Sequence, residues 1–158
     1  MIDVRLQIPG VNSGQVFNTR DYGLVYIDSD KVVGAPSKGF ESVSYPEEEG
    51  EHIIPRSVDD AFDYKVTFFI QADTVRDVNA LIKRFNELLY SKPGGQDVKT
   101  YKKVTFYNDY KRHKIVGYPK PISEATEFWR DPSGQIGDVA LVEWTIRVTT
   151  PSECDFSL

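Results

Sequence analysis

The sequence is poor in the residues that most often carry chemistry. It holds one cysteine, Cys154, and two histidines, His52 and His113. A lone cysteine excludes an intramolecular disulfide and a cysteine metal cluster. No apolar run approaches the roughly 20 residues that a membrane helix requires, so no membrane partner is expected. The start, Met1-Ile2-Asp3-Val4-Arg5, lacks the basic lead and apolar stretch of a signal peptide. Synthesis in a cytoplasm is therefore expected. No serine stands in a GxSxG elbow, and no cysteine lies near a histidine. Pro93-Gly94-Gly95 follows a helical pattern, the wrong order for a phosphate loop. Asp28-Ser29-Asp30 begins like a calcium loop but lacks the later ligands. Asp59, Asp60 and Asp63 read as a polar lead-in to a strand rather than as an acid and base pair. No catalytic residue, cofactor or metal site is expected, and the chain does not read as an enzyme.

Positive charge is also short. The formal net charge is -5, whereas a nucleic-acid binder normally shows a basic face. Lys99, Lys102, Lys103, Lys111, Arg112 and Lys114 do cluster, interleaved with Tyr101, Phe106, Tyr107 and Tyr110. Such a group could track phosphates and stack bases. The favoured reading is a hairpin face and turn, with lysines guarding an edge strand and His113 exposed.

What remains is an ordinary globular composition, 40% hydrophobic and 27% charged over 158 residues. One domain over residues 1–150 is expected, with residues 151–158 as a loose tail. Its central unit is strand, helix, strand. Tyr64, Val66, Phe68 and Ile70 alternate with more polar neighbours, which puts them on one face of a strand. Val75, Val78, Leu81, Ile82, Phe85, Leu88 and Leu89 recur at spacings of three and four, one stripe of a helix over about Val75–Tyr90. Thr74 is placed to cap it, with Asp77 three residues on. Lys92-Pro93-Gly94-Gly95 stops it. Lys103–Tyr107 resumes the strand pattern.

Asp3–Ile8 alternates cleanly, Val16–Asn18 opens a short strand, and Leu24–Ile27 lacks alternation, as in a strand buried on both faces. Glu41–Tyr45 reads as another strand. After the central unit, Asn108–Arg112 is a turn and Ile115–Tyr118 the return strand. Ile122–Trp129 is extended, and Arg130–Gly134 reads as a proline turn. Ala140, Val142, Trp144, Ile146 and Val148 share one face of the last strand. Runs of antiparallel strands with one covering helix give an α+β fold: a β-sandwich or split barrel with the helix packed on its side.

Pro46 to Ala61 is the longest stretch without a period. It carries Glu47, Glu48, Glu49 and Glu51, then His52, Ile53 and Ile54, then Pro55 and Arg56. His52 among glutamates could ligate a metal, but the spacing favours a solvated charge run. A loop this long in a compact domain is functional or disordered. The apolar Ile53-Ile54 pair points to a segment that orders against a neighbour.

The order of features resembles the ring-forming domain of phage distal tail proteins, in layout rather than in any one sharp motif. Asp21-Tyr22-Gly23-Leu24-Val25 stands after a short strand. A polar, glycine-containing loop follows near Pro46 to Arg56, then the strand Val66–Ile70 and the helix Val75–Leu89. Val104–Asp109 looks like the family's strand and turn after the helix, Ile115–Tyr118 like its return strand, and Val142–Val148 like its closing strand. The resemblance covers roughly Val16 to Thr149 on this strand and helix reading. It implies a tail-tube-like fold and a structural protein of the virion tail, of phage or prophage origin. It implies a homohexameric ring between the tube and the tail tip or baseplate, with other tail proteins as partners and DNA only as passing cargo. Many members carry a second, galectin-like domain, and no such segment follows within this sequence. On this reading Glu47–Arg56 orders against an adjacent subunit or stacked ring, and acidic side chains line the lumen. Two other readings stand beside it. One is a tail-tube or baseplate subunit of a related machine. The other is a monomeric β-domain that binds carbohydrate through Tyr110, Tyr118, Phe128 and Trp129.

Overall fold

The computed structural model describes residues 4–55, 57–95, 97–130, 132–133 and 137–157. Its two longest strands are β6 (Phe62–Ala72) and β12 (Asp138–Val148), where β and α elements are numbered along the chain. They pair antiparallel along their whole length, from Phe62 opposite Val148 to Ala72 opposite Asp138. This register puts Tyr64, Val66, Phe68 and Ile70 beside Ile146, Trp144, Val142 and Ala140 on one buried face. The alternation in the sequence therefore marks the core face directly. Gly137, just before β12, adopts φ +81°, and a Cβ there would stand 2.3 Å from the Ala72 carbonyl oxygen. Only glycine fits that approach.

A strand of 11 residues is about 36 Å long at ~3.3 Å per residue. The helix α1 (Val75–Leu88) has 14 residues, which span about 21 Å at ~1.5 Å each. One helix cannot cover the face, so a second layer is needed. It is supplied by β1 (Arg5–Gln7), β2 (Phe17–Asn18), β9 (Val104–Asn108) and β10 (His113–Pro119). Phe85 of α1 lies edge-on to Trp144, 5.3 Å between ring centres, and Phe106 of β9 meets the same indole at 6.2 Å. Trp144 is thus the point where the helix and the second layer meet over the long strands.

The layers are one folded sheet. The order is β2-β1-β9-β10-β12-β6-β3, with β3 spanning Val25–Ser29. β10 is the corner: it pairs with β9 over His113–Gly117 and with β12 at Tyr118 and Pro119. After Pro119 the chain crosses to β11 (Ala125–Arg130), which takes over the same edge of β12. Asn86 of α1 pins this crossing, since its amide donates to the Ile122 carbonyl at 2.8 Å and accepts from the Ile122 N–H at 2.9 Å. β2 and β3 end the strand order and do not pair with each other, so the sheet does not close into a barrel. The fold is α+β, mostly antiparallel, with the helix against the inner face.

The helix starts as expected: Thr74 Oγ1 accepts from the Asp77 N–H at 3.2 Å. It ends earlier than Tyr90. The Lys102 N–H takes the Leu89 carbonyl at 2.9 Å, and Tyr90 begins β7 (Tyr90–Ser91), which pairs with β8 (Thr100–Tyr101). Strand pairing takes over before the proline acts. Leu24–Ile27 is not buried on both faces. Leu24 and Tyr26 are buried, but Ile27 is exposed, because alternate residues of this edge strand face inward and outward; a bulge then shifts the register between Tyr26 and Asp28. Residues 151–157 are not loose. Lys114 and Asp155 exchange backbone hydrogen bonds of 2.7 and 2.9 Å, and Phe156 packs on the core. The expected turn after Arg130 includes Asp131 and Gly134, and the first expected strand includes Asp3; these three lie outside the described residues. No helix of the described residues is long and apolar enough to cross a membrane.

Candidate subunit interface

Between β3 and β6 the chain leaves the sheet and returns, forming an arm. Its stem is closed by the Lys38 N–H to the Val58 carbonyl at 3.0 Å and the Asp60 N–H to the Pro36 carbonyl at 2.6 Å. Beyond the stem, β4 (Glu41–Val43) pairs with β5 (His52–Ile54) in a two-stranded hairpin. Both strands are exposed throughout. A lone hairpin of this kind is marginal in water. Yet it carries Ile53, 55% exposed, with Val43, Tyr45 and Ile54 also exposed, and it is flanked by Phe40, 64% exposed, and by the exposed Val58 of the stem. Exposed apolar side chains gathered in one segment make it the candidate for an interaction surface.

The tip is acidic. Residues 39–55 hold five glutamates and no lysine or arginine, which equals the whole net charge of -5. Glu47, Glu48, Glu49 and Glu51 are all exposed in the connection between β4 and β5. His52 binds Glu48 Oε2 at 2.5 Å and meets the Tyr45 ring edge-on at 5.5 Å. The structure thus brings Glu48, His52 and Tyr45 together, with Ile53 and Ile54 alongside on β5. Arg56 lies outside the described residues. Phe40, Val43, Tyr45 and Val58 are not among the residues that the sequence pointed to. The sequence offers a partial signal, since Glu41–Tyr45 reads as a strand, but nothing in residues 44–51 pairs it with Ile53 and Ile54.

A buried polar network holds the arm to the body. His113, only 2% exposed, donates from Nε2 to the Val32 carbonyl at 3.0 Å. That leaves Nδ1 as the acceptor for the Tyr64 hydroxyl at 2.8 Å. Ser29 Oγ lies 3.0 Å from the Tyr64 hydroxyl and 2.9 Å from that of Tyr26. Asn108 Nδ2 donates to Tyr26 and to Ser29, at 3.0 and 2.9 Å. Burial holds the His113 pKa below its ordinary value, reinforced by the Lys111 charge and opposed by the Val32 bond. Burial likewise pushes the Tyr64 hydroxyl up to about 12. His113, expected to be exposed, is instead a core histidine, because β10 begins at that residue and its side chain falls on the inner face.

The lysines and aromatics around β9 and β10 do not form one basic surface. Lys103 pairs with Glu153 at 2.6 Å, Lys111 with Asp28 at 2.7 Å, and Phe106 is buried. The Lys111 hydrogen bond is also what holds the Asp28 carboxyl below its ordinary value. Tyr110, Tyr118, Phe128 and Trp129 are all exposed but lie on three elements: the turn before β10, β10 itself and β11. Asp63 is not paired with Asp59 or Asp60. It accepts from Arg147 at 3.3 Å and Lys120 at 3.4 Å; burial raises its pKa, but these bonds outweigh it and the net shift is downward. Among the described residues no group of three or more His, Cys, Asp and Glu could hold a metal ion.

No protein-family model matches the sequence. No curated protein matches it either. Among solved structures, the chain is similar to the crystal structure of the Dit protein (gp 19.1) of SPP1, described as a paradigm of the hub adsorption apparatus in phages that infect Gram-positive bacteria. The sequences are 15% identical, the TM-score is 0.55, and the match covers 94% of this chain and 50% of that one. The chain therefore spans half the length of SPP1 Dit and shares its fold over almost all of its own length.

Proposed function

We propose that the protein is a structural subunit of a phage or prophage tail. Copies assemble head to tail into a ring, most simply of six, that joins the distal end of the tail tube to the tail tip or baseplate. Other tail proteins bind its two faces, and DNA passes through it. The observation that carries this reading is the arm: an exposed hairpin bearing Val43, Ile53 and Ile54, flanked by Phe40, with no cover on its own subunit. A head-to-tail contact in which one copy's arm lies on the next closes into a ring. The shared fold with SPP1 Dit gives the reading its setting. Wherever the glutamate-rich tips face the lumen, they repel the phosphate backbone and let it slide. The subunit works by assembly and is not an enzyme.

The test removes residues 40–54 and joins Gly39 to Pro55. These residues bury nothing in the body, so the shortened protein keeps the cooperative unfolding of its parent. Light scattering and negative-stain imaging then show closed rings for the parent and only monomers for the shortened form. Rings from both would refute the role of the arm. A parent that stays monomeric at high concentration, alone and with tube and tip proteins, would refute the ring.

A further inference from the structure

The root of the arm has two limbs, and one side chain from the far end of the chain touches the anchors of both. On the outgoing limb, the Asp30 N–H donates to the Lys65 carbonyl at 3.0 Å, and Asp30 Oδ2 accepts from the Lys65 N–H at 2.9 Å. Two residues later His113 holds the Val32 carbonyl. At the next position the chain is free of the body, and Val33 is 98% exposed. The returning limb reaches the sheet at Phe62, the first residue of β6. Phe156 lies with its ring 5.9 Å from His113 and 6.0 Å from Phe62.

Phe156 is held there by strand-like bonding along the edge of β10 that β9 leaves open. Lys114 and Asp155 exchange backbone hydrogen bonds. The Val116 N–H donates to Cys154 Sγ at 3.4 Å. Glu153 ties the segment to Lys103. We propose that Pro151–Ser157 is a clamp on the arm: while it is docked along β10, Phe156 seals His113 and Phe62 and the arm is held at a fixed angle. When it lifts, water reaches His113, the Val32 tie weakens and the arm swings. Two segments far apart in the sequence are thereby coupled, so a partner that draws Pro151–Ser157 away from β10 changes how the arm is presented. The proposal does not depend on ring formation and can be tested on the monomer.

The ionisable groups on the elements around His113 are Tyr64 from β6, Tyr26 and Asp28 from β3, and Asp30 and Lys31 just after it. Lys111, Arg112 and Lys114 flank it in sequence, Asp63 and Lys65 neighbour Tyr64 on β6, and Glu153, Cys154 and Asp155 belong to the clamp. Docking keeps the imidazole dry and its pKa below the ordinary value. Opening the clamp moves it back up.

The experiment is Phe156→Ala, with Phe156→Leu as the variant that keeps an apolar plug. Hydrogen exchange is read at the Asp30 and Lys65 amides of the root and at amides in the middle of β6 and β12, and His113 is titrated by NMR. His52 supplies the only other imidazole signal, out on the arm. Expected for the alanine variant are about tenfold faster exchange at the root, unchanged exchange in β6 and β12, and an upward move of the His113 pKa. Leucine restores both. Unchanged exchange at the root, or an equal rise everywhere, overturns the clamp. A second measurement stands even if the alanine variant does not fold. In the parent, as denaturant rises, the Asp30 amide must not open before those of Lys114 and Asp155. A root that opens under a closed clamp refutes the coupling.

Discussion

Gly117 is where β10 leaves one layer of the sheet for the other. It pairs with Val104 of β9, while the next residue, Tyr118, pairs with Arg147 of β12. A Cβ at this position would stand 2.4 Å from the Arg147 carbonyl oxygen and 2.8 Å from Ile146 Cγ2. Non-bonded heavy atoms prefer about 3.5 Å, so Gly117→Ala forces β10 and β12 apart by about 1 Å. Overpacking of this kind costs about 1–3 kcal/mol. The obstructing atom is backbone, so no rotamer relieves it, and the short Tyr118–Pro119 pairing bears the shift, adding about 1 kcal/mol for a weakened hydrogen bond. The expected loss is about 2–4 kcal/mol, a fall in Tm of about 5–12 °C for a domain of this size. The control is Gly34→Ala, where nothing lies within 4 Å of the added Cβ. That change is expected to be neutral or to stabilise by up to about 1 kcal/mol, through the unfolded chain. Urea denaturation and thermal scans of both variants decide it. If Gly117→Ala comes within about 0.5 kcal/mol of its control, inside the usual range of surface substitutions, the close approach at the sheet corner is wrong.

Two other outcomes follow from the buried polar contacts. Asn86→Ala strands the N–H and carbonyl of Ile122, a residue 4% exposed, and should cost about 2–4 kcal/mol by urea denaturation. Asn86→Asp keeps the acceptor and loses the donor, so it should fall between alanine and the parent; an alanine variant as stable as the parent would show that Asn86 does not pin the crossing. Stability should also be bounded in pH. The lowered His113 contributes stability that is complete above pH 6.5 and is lost as pH falls from there toward its folded value. Asp28 and Asp63 add a further loss below 3.8. Tyr64 adds one as pH rises from 10 toward about 12. A Tm that does not move between pH 5 and 7 would show that folding does not hold His113 neutral.

The inner faces of β6 and β12 were legible because a sheet buried on one side imposes a period of two on its residues. All nine inward residues named from that period, Tyr64 to Ile70 and Ala140 to Val148, are buried. The helix was legible from its stripe and its Thr74 cap. Its last turn was not, since the Lys102 N–H that takes the Leu89 carbonyl comes from residues well beyond it. The arm was half legible. Its acidic tip and the Ile53-Ile54 pair stood out, but its hairpin form depends on a pairing across residues that share no periodic pattern.

His113 shows the limit most plainly. Beside Lys111 and Arg112 it looks like a turn residue, and nothing local says otherwise. Only Tyr64 from β6, Val32 from the arm root and Phe156 from the far end make it a buried anchor. Sequence alone determined what periodicity and backbone chemistry dictate: which faces are apolar, where the helix begins, and that the charge surplus is local. Tertiary structure decided what long-range pairing dictates: the fold at β10, the second layer that a 14-residue helix could not replace, and the clamp between distant segments. A residue's local pattern reports the face it presents, and the partner on that face is chosen by the whole chain.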